Sequence, residues 1–413
     1  MTFVWWGFHA CQRVIPEAQR PFHTFIKEIR SERMNILQDN LLLQMKKLNK
    51  AMLKAKDMEN KSVVYFRKEV LEEAVVTLTE DPMASLVLFG VKNTVQIGPA
   101  LVQRLKGIKG FLFHTVDKMS ERGRAIDVDL INPLTGRVMT GSSSGSCVNI
   151  LRGINDIAIG TDGGGSVLAP AMSTGLFSIM GKGLGLKGSH PRISTDNINF
   201  IPGIGVISHD YDLCKKAIGA LSNMKEIGCS DIQNRKARVA VPKEGSVRLP
   251  NGKDMRRQLD KVVNEISGFV EIVEKDFKHI EDRHLAISTC EELFNEDIDM
   301  IITLEGPIDV YGTGDSVLGL FGQTGRDIQS HSGKYLLKVA NMIDGTAITI
   351  PSDELGMGIL IVGKKGVESG KLAIALGDRI RTLFPKPELF ERYFIEGYKE
   401  KDLGFWGWKG EDL

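Results

Sequence analysis

Serine, glycine and lysine are the residue types in this chain whose spacing could do chemistry. Between Thr140 and Gly188 the sequence reads TGSSSGSCVNILRGINDIAIGTDGGGSVLAPAMSTGLFSIMGKGLGLKG, with one Gly/Ser cluster at 141–146 and a second at 160–166. Glycine lets a backbone approach a ligand closely and adopt positive φ, at an entropic cost that ordinary loops avoid. Two such clusters around one apolar segment predict a site built from backbone, with serines as the reactive side chains. A serine hydroxyl is a poor nucleophile until a base takes its proton. No histidine stands in either cluster, and the nearest residue able to serve is Lys92, which ends the apolar run LVLFGV. A lysine at its reference pKa of about 10.4 is protonated and useless as a base. Burial at a strand end disfavours the charge and can lower that pKa by several units.

Other chemistries find less support. The eight histidines show no HExxH or other ligand spacing, so no metal is implied, and no other cofactor is called for. Gly183 to Gly188 satisfies GxGxxG, but Pro191 follows where a dinucleotide fold opens a helix. The Ser-x-x-Lys arrangement of penicillin-binding enzymes needs lysine three residues after the serine. Gly145 and Ala169 stand there instead.

The motifs FGVKN (89–93), TGSSSGS (140–146), GTDGGGSVLAPA (160–171) and GLKGS (185–189) resemble those of the amidase signature family, as does the 24-residue spacing from Ser142 to Ser166. The resemblance continues through VANMIDGTAITIPS (339–352) and the segment 356–380, and so spans roughly residues 85–383. It implies a Ser-Ser-Lys triad of Ser166 as nucleophile, Ser142 on a cis-peptide bridge, and Lys92 as the terminal base. By the same resemblance Ser143 holds the lysine, Asp162 supports the loop, and Gly163, Gly164 and Gly165 lead the backbone donors toward the oxyanion. Such donors are worth about 3–4 kcal/mol each. The implied reaction is hydrolysis of a linear carboxylic amide through a serine acyl-enzyme, with water completing the cycle. Two alternatives stand beside it: a glutaminase or acyl-transfer subunit working with companions, as in tRNA-dependent amidotransferases, and a catalytically impaired binding protein.

Three positions depart from the family's pattern. Asn93 stands where an aspartate is usual, Ser144 replaces a glycine, and Leu168 replaces an arginine. One acid and one base are lost together, which predicts that Asn93 and Leu168 compensate each other and that Asp162 lacks a cationic partner.

The elements that must position these residues read as α/β. Residues 33–60 carry Leu37, Leu41, Met45, Leu48 and Met52 at helical spacing, and a second helix is expected over 62–79, before Asp81-Pro82. From Ser85, apolar runs of strand length alternate with helical segments. The expected fold is a large mixed β-sheet sandwiched by helices, the amidase signature fold, behind a mainly helical N-terminal segment. The divisions expected are a helical segment 1–80, a catalytic domain 81–383 and a charged, aromatic tail 384–413. Residues 305–333 read as an irregular substrate-facing loop, and 335–344 as a helix.

Composition bounds the rest. The chain has 413 residues, 42% hydrophobic and 25% charged, with a net charge of +1. That is ordinary globular composition and makes no electrostatic case for nucleic acid. Five scattered cysteines without a CxxC pair argue for a reducing compartment, hence a cytoplasmic location, and Cys147 reads as structural. No run of 18 apolar residues exists to span a bilayer. The expected partners are a small-molecule amide and, in assembly, a homodimer. Trp5 and Trp6 at one end, with Phe405, Trp406 and Trp408 at the other, are candidates for packing or association.

Overall fold

The structure, a computed structural model, describes residues 22–224 and 236–395. The terminal aromatic clusters lie outside that range. Its strands in the first half are β1 (Val63–Phe66), β2 (Val87–Lys92), β3 (Phe111–Asp117), β4 (Ile126–Ile131), β5 (Val138–Thr140), β6 (Ile157–Asp162) and β7 (Phe177–Met180). The remainder are β8 (Arg192–Ile193), β9 (Asn199–Phe200), β10 (Gly203–Ser208), β11 (Arg238–Pro242), β12 (Glu271–Lys275), β13 (Met300–Glu305), β14 (Thr346–Pro351) and β15 (Gly358–Gly363). Eleven of them form one mixed sheet in the order β1-β3-β2-β6-β10-β7-β14-β15-β13-β11-β12. The β4–β5 and β8–β9 hairpins stand apart.

The central strands are buried along their whole length: β6, β10, β13, β14 and β15 expose no residue. Continuous apolar strands of this kind need cover on both faces. Helices α1 (Phe22–Asp57), α2 (Val70–Glu80), α3 (Pro99–Lys106), α4 (Ser144–Leu151), α5 (Leu168–Ser173) and α6 (Tyr211–Ser222) supply part of it. Later helices at Arg283–Asn295 and Val367–Ile380 supply more. Among the described residues, no helix is long and apolar enough to cross a membrane.

Three local expectations need correction. The segment expected as one helix over 62–79 begins as β1, because Val63-Val64-Tyr65-Phe66 pairs antiparallel with β3 at the sheet edge. β-branched and aromatic residues suit that pleated surface. The helix expected over 335–344 is only a single turn at Leu336–Lys338. Its leading N–H groups, from Tyr335, Leu336 and Leu337, are captured by the buried carboxylate of Glu305. Conversely, the segment read as irregular, 305–333, contains a helix at Gly322–Ser330.

Candidate active site

β2 and β6 are parallel neighbours in the middle of the sheet, with Val91 opposite Ile159. Lys92 and Asp162, the last residues of these strands, therefore emerge at the same end of the sheet. The carboxyl ends of parallel strands are where open α/β sheets place ligands. The first Gly/Ser cluster is brought there by β5, and α4 starts within it, at Ser144. The second begins in the last residues of β6 and leads toward α5. A backbone hydrogen bond from Ser143 N to Ser166 O (3.2 Å) joins the two clusters. Gly141 N donates to Ala125 O, and Ser120 N donates to Ser142 O, so the first cluster is also held from the side of β4. The Gly141–Ser142 peptide is cis.

Lys92 is buried, and its Nζ donates to Ser142 Oγ at 2.6 Å and to the carbonyl oxygen of Thr161 at 3.1 Å. Burial pulls its pKa down to about 7, with the nearby Asp162 opposing and Arg192 assisting the shift. Among the described residues, no carboxylate forms an ion pair with it. The side-chain chain of hydrogen bonds runs from lysine to Ser142 and stops there. Ser166 is half-buried and lines a cavity of about 350 Å³ together with Lys92 and Ser142.

Ser143 does not hold the lysine as expected: its hydroxyl is buried with no hydrogen-bond partner among the described residues. The main-chain oxygen of Thr161 makes that contact. A carbonyl at a strand end leaves no side-chain signal in a sequence.

Asp162 closes the loop that carries Ser166. Its carboxylate accepts from the N–H groups of Gly165 (2.7 Å), Val167 (2.7 Å) and Leu168 (3.3 Å). Burial raises its pKa while these donors oppose the rise. Gly165 has φ +92°, and a Cβ there would come within 2.6 Å of Leu337 Cδ1, so only glycine fits. With its N–H committed to Asp162, Gly165 is a shape residue. Gly163, Gly164 and Ser166 are the members of the run that line the cavity.

The three departures now have separate explanations. Ser144 is buried and its hydroxyl donates to Asp127 Oδ2 at 2.6 Å, in a carboxylate also bound by Lys118. Leu168 is fully buried in the main apolar core, whereas Asn93 is exposed. Asp162 is satisfied by backbone donors and needs no arginine. The expected compensation between Asn93 and Leu168 has no structural basis.

Two features escaped sequence reasoning. Asp117, ending β3, is wholly buried among Thr115, Ser146 and Asn149, and burial pushes its carboxyl up to about 6. Arg122, Arg124, Arg192 and Arg283 converge on the cavity. The cysteine reading fares better: Cys147 is free and buried, and burial pushes its thiol up to about 12, so it carries no reactive thiolate at neutral pH.

Comparison with known proteins places these motifs. The Amidase family model matches residues 131–290. "Amidase 1" of Oryza sativa subsp. japonica is 32% identical over 111 residues, covering 26% of this chain and 23% of that protein. "Amidase 1" of Arabidopsis thaliana is 34% identical over 103 residues, 25% of this chain and 21% of its own. The matched region thus spans under a quarter of either relative. Among solved structures, an amidase superposes with TM-score 0.56 at 16% identity, over 86% of this chain and 99% of its own. Kluyveromyces lactis allophanate hydrolase gives TM-score 0.55 at 16% identity, over 84% and 72%. A 6-aminohexanoate cyclic dimer hydrolase gives 0.53 at 14%, over 87% and 96%. At these identities the structural likeness speaks for the fold.

Proposed function

We propose that this chain, whose residues 131–290 match the Amidase family model, is a member of the amidase signature family and hydrolyses linear carboxylic amides through an acyl-enzyme on Ser166. The observation that carries this reading is the buried Lys92 amine, 2.6 Å from Ser142 Oγ in the cavity that Ser166 also lines. With a pKa of about 7, much of the lysine is neutral at physiological pH. The neutral amine spends an N–H on Thr161 O and turns its lone pair to Ser142, the same contact with the proton on the other side. Ser142 then accepts the proton that Ser166 releases as its Oγ attacks the amide carbonyl. Substrate entry closes the remaining gap between the two hydroxyls, as catalytic hydrogen bonds commonly tighten only in the substrate complex.

The tetrahedral oxyanion is served by N–H groups from Gly163, Gly164 and Ser166, because Gly165 is occupied by Asp162. The proton returns through Ser142 to the departing amine. A water molecule then uses the same relay to release the carboxylic acid. Asp162 and Ser143 N act on the loop, holding Ser166 against the first cluster.

A fluorophosphonate probe followed by intact-mass measurement tests this. One adduct is expected on the wild type and none on Ser166→Ala, which also loses amide hydrolysis to below about 1% of wild type, the scale of one catalytic group. An adduct on Ser166→Ala, or higher residual hydrolysis, moves the nucleophile elsewhere.

A further inference from the structure

The cavity holding Ser166 is ringed with guanidinium groups. Arg122, Arg124, Arg192 and Arg283 line it, and Asp315 is the one carboxylate among its described lining residues. Two of these arginines have partners, Arg124 in Asp315 and Arg283 in Asp196. Even so, Nε of each is buried with no hydrogen-bond partner among the described residues. Arg122 and Arg192 are exposed and form no ion pair among the described residues. Arg122 is presented on a turn with φ +51°, and Arg192 on β8, so the two reach the cavity from different parts of the chain.

Hydrolysis of a neutral amide makes no use of this charge, since the oxyanion is served by backbone donors. A concave site lined by one sign of charge concentrates ligands of the other. The planar guanidinium fork matches a carboxylate bidentately, in geometry and in charge. A volume of about 350 Å³ lies near the lower end for small-molecule pockets, which leaves room for a short acyl chain.

We infer that the amide this site takes carries a carboxylate, held at the cavity entrance by Arg122 and Arg192, so that the substrate is the monoamide of a short dicarboxylic acid or a close analogue. The inference rests on the amide-hydrolase reading above and adds the substrate's charge to it.

Initial rates with succinamate and with its neutral counterpart succinamide test it. At low salt, kcat/KM for succinamate is expected to exceed that for succinamide by about tenfold or more, and the gap narrows at high salt because exposed charges are screened. In the Arg122→Gln/Arg192→Gln double variant the ratio is expected to fall to within about twofold of unity. The ratio is the right readout, because any change at Lys92 affects both amides alike. A second measurement needs no turnover: succinate should slow fluorophosphonate labelling of Ser166 in the wild type and not in the double variant. Both variants are exposed and leave the core intact, which circular dichroism checks. An enzyme that labels but hydrolyses succinamide as well as succinamate overturns the charge inference and leaves the hydrolase standing. So does a lack of protection by succinate. Failure of both labelling and hydrolysis removes the hydrolase reading, and this inference with it.

Discussion

Lys92 and Asp117 stand opposite each other at the ends of the parallel strands β2 and β3, yet they form no ion pair. The lysine turns to Ser142 and Thr161, and the carboxylate to Thr115, Ser146 and Asn149. Each group is buried without an ion-pair partner among the described residues, and burial moves each pKa toward neutrality. Gly90 makes the arrangement possible: a Cβ there would fall 2.5 Å from Asn155 Nδ2 and collide with the Asp117 carboxylate. An ion pair would have kept Lys92 protonated and useless as a base.

Activity should follow the neutral fraction of Lys92. Its pKa of about 7 means that kcat/KM rises with pH through about 7 and levels above it. Lys92→Arg should lose about 10²–10⁴-fold, nearly as much as Lys92→Ala, since arginine stays protonated and cannot accept the relayed proton. Turnover by the arginine variant at close to the wild-type rate would remove the relay.

Arg192 helps depress the Lys92 pKa. Removing its charge lets that pKa rise, so the base stays protonated to higher pH. Arg192→Gln should therefore move the acid limb of kcat/KM upward in pH, most clearly at low ionic strength. An unmoved or downward-shifted limb, measured with a neutral amide, would place the titrating group elsewhere.

Asp117 makes a stability prediction with a definite sign. Burial holds its folded pKa at about 6, above the 3.8 of a free aspartate. The unfolded chain gives up this proton first, so the contribution is present below about pH 4 and is lost as pH rises through about 6. The loss is on the order of 3 kcal/mol. Asp117→Asn places an amide among hydroxyl and amide donors and should destabilise at every pH, with the deficit relative to wild type larger at pH 4 than at pH 7. Melting temperatures of both proteins across that range decide it, and a deficit that grows with pH would be the wrong sign.

Leu168→Arg should destabilise by several kcal/mol, because it drives a charge into an apolar core where Asp162 is already saturated. Asn93→Asp, at an exposed position, should change stability by no more than about 0.5 kcal/mol. The double variant should equal the sum of the two within a similar margin. A favourable coupling of about 1 kcal/mol or more in a denaturant double-mutant cycle would restore the idea that these two departures evolved as a pair.

What the sequence determined by itself was the local chemistry. Lys92 at the end of an apolar run, and Ser142 and Ser166 within two Gly/Ser clusters, are visible in the sequence because each is a pattern among neighbours in the chain. A glycine at positive φ, a strand buried on both faces and a hydroxyl in a tight turn are all short-range requirements. The α/β alternation was readable for the same reason. Tertiary structure decided the partners. Ser143 lost the lysine to the main-chain oxygen of Thr161, and Gly165 gave its N–H to Asp162, because a few ångströms of loop placement choose between near-equivalent acceptors. Val63–Phe66 became an edge strand because β3 offered it an open edge. The turn at Leu336–Lys338 is held at its start by Glu305, which lies 30 residues before Tyr335 and accepts its leading N–H groups. Arg124 and Asp315, 191 residues apart, meet at one cavity wall for no reason visible in either segment. Side-chain charge is written in the sequence, but burial and the placement of charged groups are properties of the packed sheet and its loops; burial lowers the pKa of Lys92, and loop placement gathers the arginines around the cavity that Ser166 lines.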